Sequence, residues 1–145
     1  MAVALGEIKR MGLKGKMLDV GCGTGHLVFE LLRQGHQVVG IDIADKMIEQ
    51  AKAHFRKSKI KGDPEKVFMV SDLASFAPPA RNPYAAVTAL GLLEYLDTDD
   101  ELFRLLNKSV APGGYAFVEC RNKFFNLFSA NRYTLSLAQG GAMAS

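Results

Sequence analysis

Cysteine, long apolar runs and a strong charge of one sign are all scarce in this sequence, and each scarcity closes off a class of protein. Cys22 and Cys120 are its two cysteines, and they show no C-x-x-C spacing of the kind that holds a metal. Both are read as reduced thiols, and no metal is expected. No segment approaches 18 consecutive apolar residues, and the first residues lack the charged, apolar and small-residue parts of a secretory signal. No membrane association is expected, and the expected compartment is the cytoplasm. The formal charge is only +3, drawn mainly from "AKAHFRKSKIKGDPEK" (51–66). A nucleic-acid footprint would need more basic residues over a wider surface, with aromatics among them. That cluster reads instead as a solvated helix face and loop, so nucleic acid is not an expected partner. Internal repeats and linkers are missing too.

What remains is an ordinary globular balance: 48% hydrophobic and 23% charged over 145 residues, enough for one core and too few for two ordinary domains. The expected organisation is a single domain over 1–145, with a lead-in at 1–15, a core at 16–120 and a short C-terminal segment at 121–145. Along the core, short apolar runs alternate with longer amphipathic stretches. "KMLDV" (16–20), "QVVGID" (37–42), "KVFMV" (66–70), "YAAVTAL" (84–90) and "YAFVEC" (115–120) read as strands. Helices are expected over 25–35, where Leu27, Val28, Leu31 and Leu32 share a face and Gly35 closes the run, over 44–57 and over 99–110. "ASFAPPARNP" (74–83) is loop-like around Pro78 and Pro79, and "APGG" (111–114) reads as the turn into the fifth strand. Right-handed crossovers then give an α/β fold with a doubly wound, mostly parallel sheet.

The first strand runs into "GCGTG" (21–25), three glycines in five positions, just before the first helix of the core. Gly21 and Gly23 let the backbone turn tightly and approach a ligand, and Gly25 permits close packing of helix on strand. Seventeen residues beyond Gly25, Asp42 ends the second strand. A carboxylate there can accept both hydroxyls of a ribose, so the pairing points to a nucleoside-containing cofactor. The bland alternative is a tight turn with a helix-capping aspartate. Dinucleotide sites favour G-x-G-x-x-G, with a pyrophosphate over the helix N-terminus. Here the sixth position is His26, whose side chain would crowd a pyrophosphate. S-adenosyl-L-methionine, which has no phosphates, fits better than NAD.

"LDVGCGTGHLVFELLRQGHQVVGIDIADKMIEQAKAHF" (18–55) resembles the cofactor half of the class I S-adenosylmethionine-dependent methyltransferases, with their Rossmann-like core. "VSDL" (70–73), "VTALGLLEYL" (87–96) and "LLNKSVAPGGYAFVE" (105–119) resemble later motifs of that family, so the likeness covers about residues 13–120. The resemblance implies that Asp19 anchors the glycine loop and reaches the methionine ammonium. It implies that Gly21, Cys22 and Gly23 pass the methionine portion, and that Asp42 holds the ribose. Ile43 and Met47 would pack on adenine, Asp72 and the Leu73 amide would read its edge, and Leu90 with Gly91 would border the methionine end. It also implies a helix and an antiparallel pair of strands after strand five, for which 121–145, with Phe124, Phe125, Phe128 and Tyr133, offers too little chain.

Methyl transfer is an in-line displacement at a sulfonium, which needs alignment and exclusion of water more than a dedicated base. His26, Glu94, Tyr95, Glu119 and Arg121 are candidates for touching substrate. "NPY" (82–84) resembles the Asn-Pro-Pro-Tyr signature of nucleobase amino methyltransferases, but it precedes strand four where that signature follows it. It reads as a turn, which leaves a small-molecule acceptor as the expected partner. A non-catalytic cofactor-binding module is the second reading and a nucleotide-dependent oxidoreductase domain the third. An uncovered fifth strand would invite pairing with another chain, predicting a homodimer. With strand four between strands one and five, Cys22 and Cys120 are expected about 10 Å apart, beyond the roughly 7 Å a disulfide can span.

Overall fold

The computed structural model describes residues 1–79 and 83–119. Five strands form one sheet: β1 (Lys16–Val20), β2 (Gln37–Asp42), β3 (Phe68–Val70), β4 (Tyr84–Ala89) and β5 (Val110–Val118), in the order β3-β2-β1-β4-β5. Every described pairing is parallel. The expected α/β architecture is therefore observed. Its order reverses between β1 and β4, the place where open α/β sheets leave a crevice at the carboxyl ends of their strands.

Alternation along the strands sends apolar side chains to both faces, as a sheet covered on two sides requires. On one face Met17, Val38, Phe68 and Ala86 pack with Ile8 of α1 (Ala2–Arg10), Leu27, Val28 and Leu31 of α2 (His26–Arg33), and Ile48, Ala51 and Phe55 of α3 (Asp45–Lys57). On the other, Leu18, Val20, Val39, Ile41 and Val87 meet Leu102, Leu105 and Leu106 of α5 (Asp100–Ser109). Phe76, in the stretch read as loop, is buried against that second face. The rings of Phe29, Phe55 and Phe68 stand 5.5–6.3 Å apart between centroids and tie α2, α3 and β3 together.

The structure corrects the sequence reading at two places, the start of β3 and the "APGG" stretch, and adds two elements that it had not assigned. Lys66 and Val67 belong to a short helix, α4 (Pro64–Val67), because Asp63 accepts the Glu65 amide at 3.0 Å and Pro64 occupies the first turn; β3 starts only at Phe68. The lead-in is helical over α1, which buries Ala4 and Ile8. A single 3₁₀ turn, Leu93–Tyr95, follows β4. The "APGG" stretch lies inside β5 as a bulge: Tyr84 pairs with Val110 and Ala86 with Tyr115, so the residues Ala111–Gly114 stand opposite Ala85 alone. Cys120, Arg121 and the aromatics of 121–145 lie outside the described residues. Among the described residues β5 is an edge strand, and no helix is long and apolar enough to cross a membrane.

Candidate functional site

All three loop glycines take positive φ: 73° at Gly21, 55° at Gly23 and 87° at Gly25. The reasons for glycine differ between positions. A Cβ on Gly25 would lie 2.6 Å from the Phe68 ring, so this residue sets how closely α2 approaches β3, as read from the sequence. Around Gly23 nothing lies within 4 Å of such a Cβ, leaving open space beside the loop. Gly40, which the sequence reading did not single out, serves the same seating: its Cβ would meet Cys22 Sγ and Val28 at 2.9 Å.

Asp42 fixes the loop. Its Oδ2 accepts the Gly23 amide at 2.8 Å and its Oδ1 accepts the Ala44 amide at 2.8 Å, while the Gly21 and Cys22 amides donate to the Ile41 carbonyl at 2.8 and 2.9 Å. One carboxylate thus orders both the glycine loop and the entry to α3. Asp42 tethers Ala44, the residue before α3, and does not cap the helix itself, and it keeps capacity: an ionised carboxylate offers about four acceptor sites, and these amides take two.

Asp19 plays a different part from the one the resemblance implied for the loop. The hydrogen bonds that hold the loop come from Ile41 and Asp42, whereas the Asp19 carboxyl, 4% exposed, takes the Thr88 hydroxyl at 2.7 Å. Burial pushes it up to about 7; the Thr88 hydrogen bond works against that rise, and the negative charge of Asp42 adds to it. Thr88 itself escaped the sequence reading. The signal was a single polar residue inside an otherwise apolar strand. Cys22 is buried and turned into the core against Gly40, its thiol pushed up by burial and by Asp19 and Asp42, so its side chain does not line the open space.

A cavity of about 160 Å³ lies at the carboxyl edge, lined by Gly21, Asp42, Ile43, Asp72, Leu73, Leu92, Leu96 and Glu101 among others. Ile43 lines it and is 74% exposed, and Met47 in the first turn of α3 is 44% exposed, apolar surface that an aromatic ring could cover. The Asp72 carboxyl accepts the Ser75 amide at 2.6 Å, which holds it below the usual carboxylate range, so it caps the turn after β3. Leu90 packs against the α2 face of the sheet, and Gly91 follows at φ 67°. Leu92, Leu96 and Glu101 were missed because they come from distant segments with no local spacing to announce them.

Among the described residues, the candidates His26, Glu94, Tyr95 and Glu119 are not brought together. His26 lines a separate hollow with Phe29, Glu30, Arg33 and His54 instead of the cavity beside Asp42. Glu94 and Tyr95 sit on the 3₁₀ turn, with Tyr95 79% exposed, while their neighbours Leu92 and Leu96 face the cavity. Glu119 is within 3.7 Å of the N-terminal ammonium.

Residues 17–114, which hold the loop, Asp42 and the cavity, match the methyltransferase domain family. The chain belongs to that family. Among curated proteins, the ubiquinone biosynthesis O-methyltransferase of Chromobacterium violaceum is 37% identical over 108 residues, 74% of this chain and 45% of its own length. Among solved structures, the S-adenosylmethionine-dependent methyltransferase of Methanosarcina mazei superposes with a TM-score of 0.66 at 23% identity, over 77% of this chain and 55% of that one. A methyltransferase of Geobacter sulfurreducens in complex with S-adenosyl-L-homocysteine gives 0.61 at 22% identity, over 80% and 45%. The methyltransferase domain described here thus spans about half the length of the curated relatives it matches.

Proposed function

We propose that this chain binds S-adenosyl-L-methionine at the carboxyl edge of its sheet and serves methyl transfer to a small-molecule acceptor. The observation that carries this is Asp42, which spans the glycine loop and α3 with one carboxylate and keeps acceptor capacity for a ribose. The site fits the cofactor on its own chemistry: an acid for the sugar, open space at Gly23 and exposed apolar side chains at Ile43 and Met47 for the base. When bound, the cofactor supplies an electrophilic methyl group on a sulfonium. The chain's part is to hold it by ribose and base and to leave its methyl end toward the open side. Asp19 faces the cofactor's ammonium in this reading.

Support from the relatives is of the same kind. The curated protein named above is an O-methyltransferase, and oxygen is accordingly the acceptor atom we favour. A second reading, a module that binds the cofactor without turnover, draws on the place of His26 in a separate hollow and on the cavity's lining, which takes in neither Glu94 nor Tyr95. We place the protein in the cytoplasm and the edge strand β5 in a homodimer contact, which sedimentation at increasing concentration would test. Titration calorimetry with S-adenosyl-L-homocysteine and with NAD tests the main reading. Binding of the first alone is expected, and preference for NAD by the folded protein would overturn it.

A further inference from the structure

Asp19 and Thr88 pair across β1 and β4, the two strands between which the sheet order reverses, and their side chains meet at 2.7 Å on the face that carries α2. Both are almost fully buried, at 4% and 1% exposure. A buried acid normally needs a fixed donor when ionised and a fixed acceptor when protonated. Thr88 can supply both. Its Oγ1 lies 2.7 Å from Asp19 Oδ1 and 3.3 Å from the Leu18 carbonyl oxygen. With Asp19 ionised, the hydroxyl donates to the carboxylate. With Asp19 protonated, the carboxyl donates to Oγ1, and the hydroxyl proton turns to Leu18. Neither state strands a buried polar atom, so the pair can change protonation without repacking.

We propose that Thr88 is a positioning residue for the cationic end of the cofactor: it holds Asp19 beneath the glycine loop and lets that carboxyl give up one proton when the cofactor's ammonium binds. This rests on the reading of the site given above. The groups acting on Asp19 are Asp42 at the end of β2, whose negative charge favours the protonated form, and the Cys22 thiol of the loop, which stays neutral. Proton balance is simple. The ammonium keeps its protons, the carboxylic acid becomes carboxylate, and one proton passes to solvent.

The carboxyl sits at about 7 before binding, so affinity should fall roughly tenfold between pH 7.5 and 6 as the protonated form takes over. Titration calorimetry with S-adenosyl-L-homocysteine at pH 6, in two buffers of different ionisation enthalpy, should report about one proton released per ligand bound. Asp19→Asn should abolish that release. Thr88→Val, which keeps the shape and removes the hydroxyl, should move the pH at which affinity falls upward, whereas Thr88→Ser should retain the unsubstituted profile. A purely structural Thr88 would alter stability in Thr88→Val and leave the pH profile in place, which would overturn the proposal. So would binding by the unsubstituted chain with no proton released, a result that needs no variant to fold. Absence of binding at every pH would defeat the cofactor reading itself, and is thereby distinguished from failure of the proton coupling alone.

Discussion

The two edges of this sheet make opposite offers to a ligand. At the amino edge lies the larger cavity, about 810 Å³, bordered by Lys9, Lys14, Lys16, His36 and a set of glycines from the end of α1 and the turn after α2. At the carboxyl edge the cavity is about 160 Å³, below the roughly 300–1,000 Å³ usual for a complete small-molecule site, but it is bordered by Asp42, Asp72 and Glu101. Volume favours the first edge and chemistry the second. The amino edge has no carboxylate among its lining residues and no backbone amides gathered by a side chain. The carboxyl edge has a loop held in left-handed geometry, a carboxylate bonded to two amides, and the reversal of strand order. What distinguishes a site is groups already oriented at a cost to the fold, and room alone is no substitute for that.

That contrast can be broken most forcefully at Gly25. Gly25→Ala combines positive φ with a Cβ driven into the Phe68 ring, and should cost about 4 kcal/mol in denaturant unfolding. Gly23→Ala, strained only by its φ, should cost about 1 kcal/mol. Equal losses at the two positions would mean that the loop's geometry, and not the seating of α2, governs both.

Asp19→Asn should act next, and with a sign set by pH. The folded carboxyl sits at about 7 against an ordinary 3.8, so in the folded state it keeps its proton where the unfolded chain has lost it. Its burden on the fold therefore grows as pH rises from about 4 and is complete above about 7. The variant should gain on the order of 3 kcal/mol at pH 8 and nothing at pH 4, read from melting curves across that range. A gain that is independent of pH would show that Asp19 is ionised throughout.

In binding, Asp42→Ala should weaken S-adenosyl-L-homocysteine by about 30-fold, the scale of one lost charged hydrogen-bonding group. Lys14→Ala, at the larger cavity, should leave that affinity within about twofold and its stability within roughly 0.5 kcal/mol. Reversal of these two outcomes would exchange the roles of the edges.

Much of this contrast was legible in the amino-acid order, because the residues that create it are local. The strands over Lys16–Val20 and Gln37–Asp42 fall where the apolar runs lie, and Gly21, Gly23, Gly25 and Asp42 announce themselves by spacing within one strand, turn and helix unit. The short α4 was missed although Asp63 and Pro64 spell a helix start, because "KVFMV" is an equally good strand signal and capping decided between them. β5 was read as starting late because Pro112 and the glycines that follow it signal a turn, and that turn is a bulge once Val110 has already paired with Tyr84. Thr88, Leu92 and Glu101 join the site through the sheet, the segment after β4 and α5, at separations that no local period reports.

The most direct test maps where the ligand sits. Backbone amide chemical shifts should be followed while S-adenosyl-L-homocysteine is added to the full chain. The account predicts large, saturable changes at Gly23, Ala44 and Leu73, with Lys9, Gly12, Lys14 and Gly35 unmoved. Changes gathered at the amino edge, with Gly23 and Ala44 still, would contradict it.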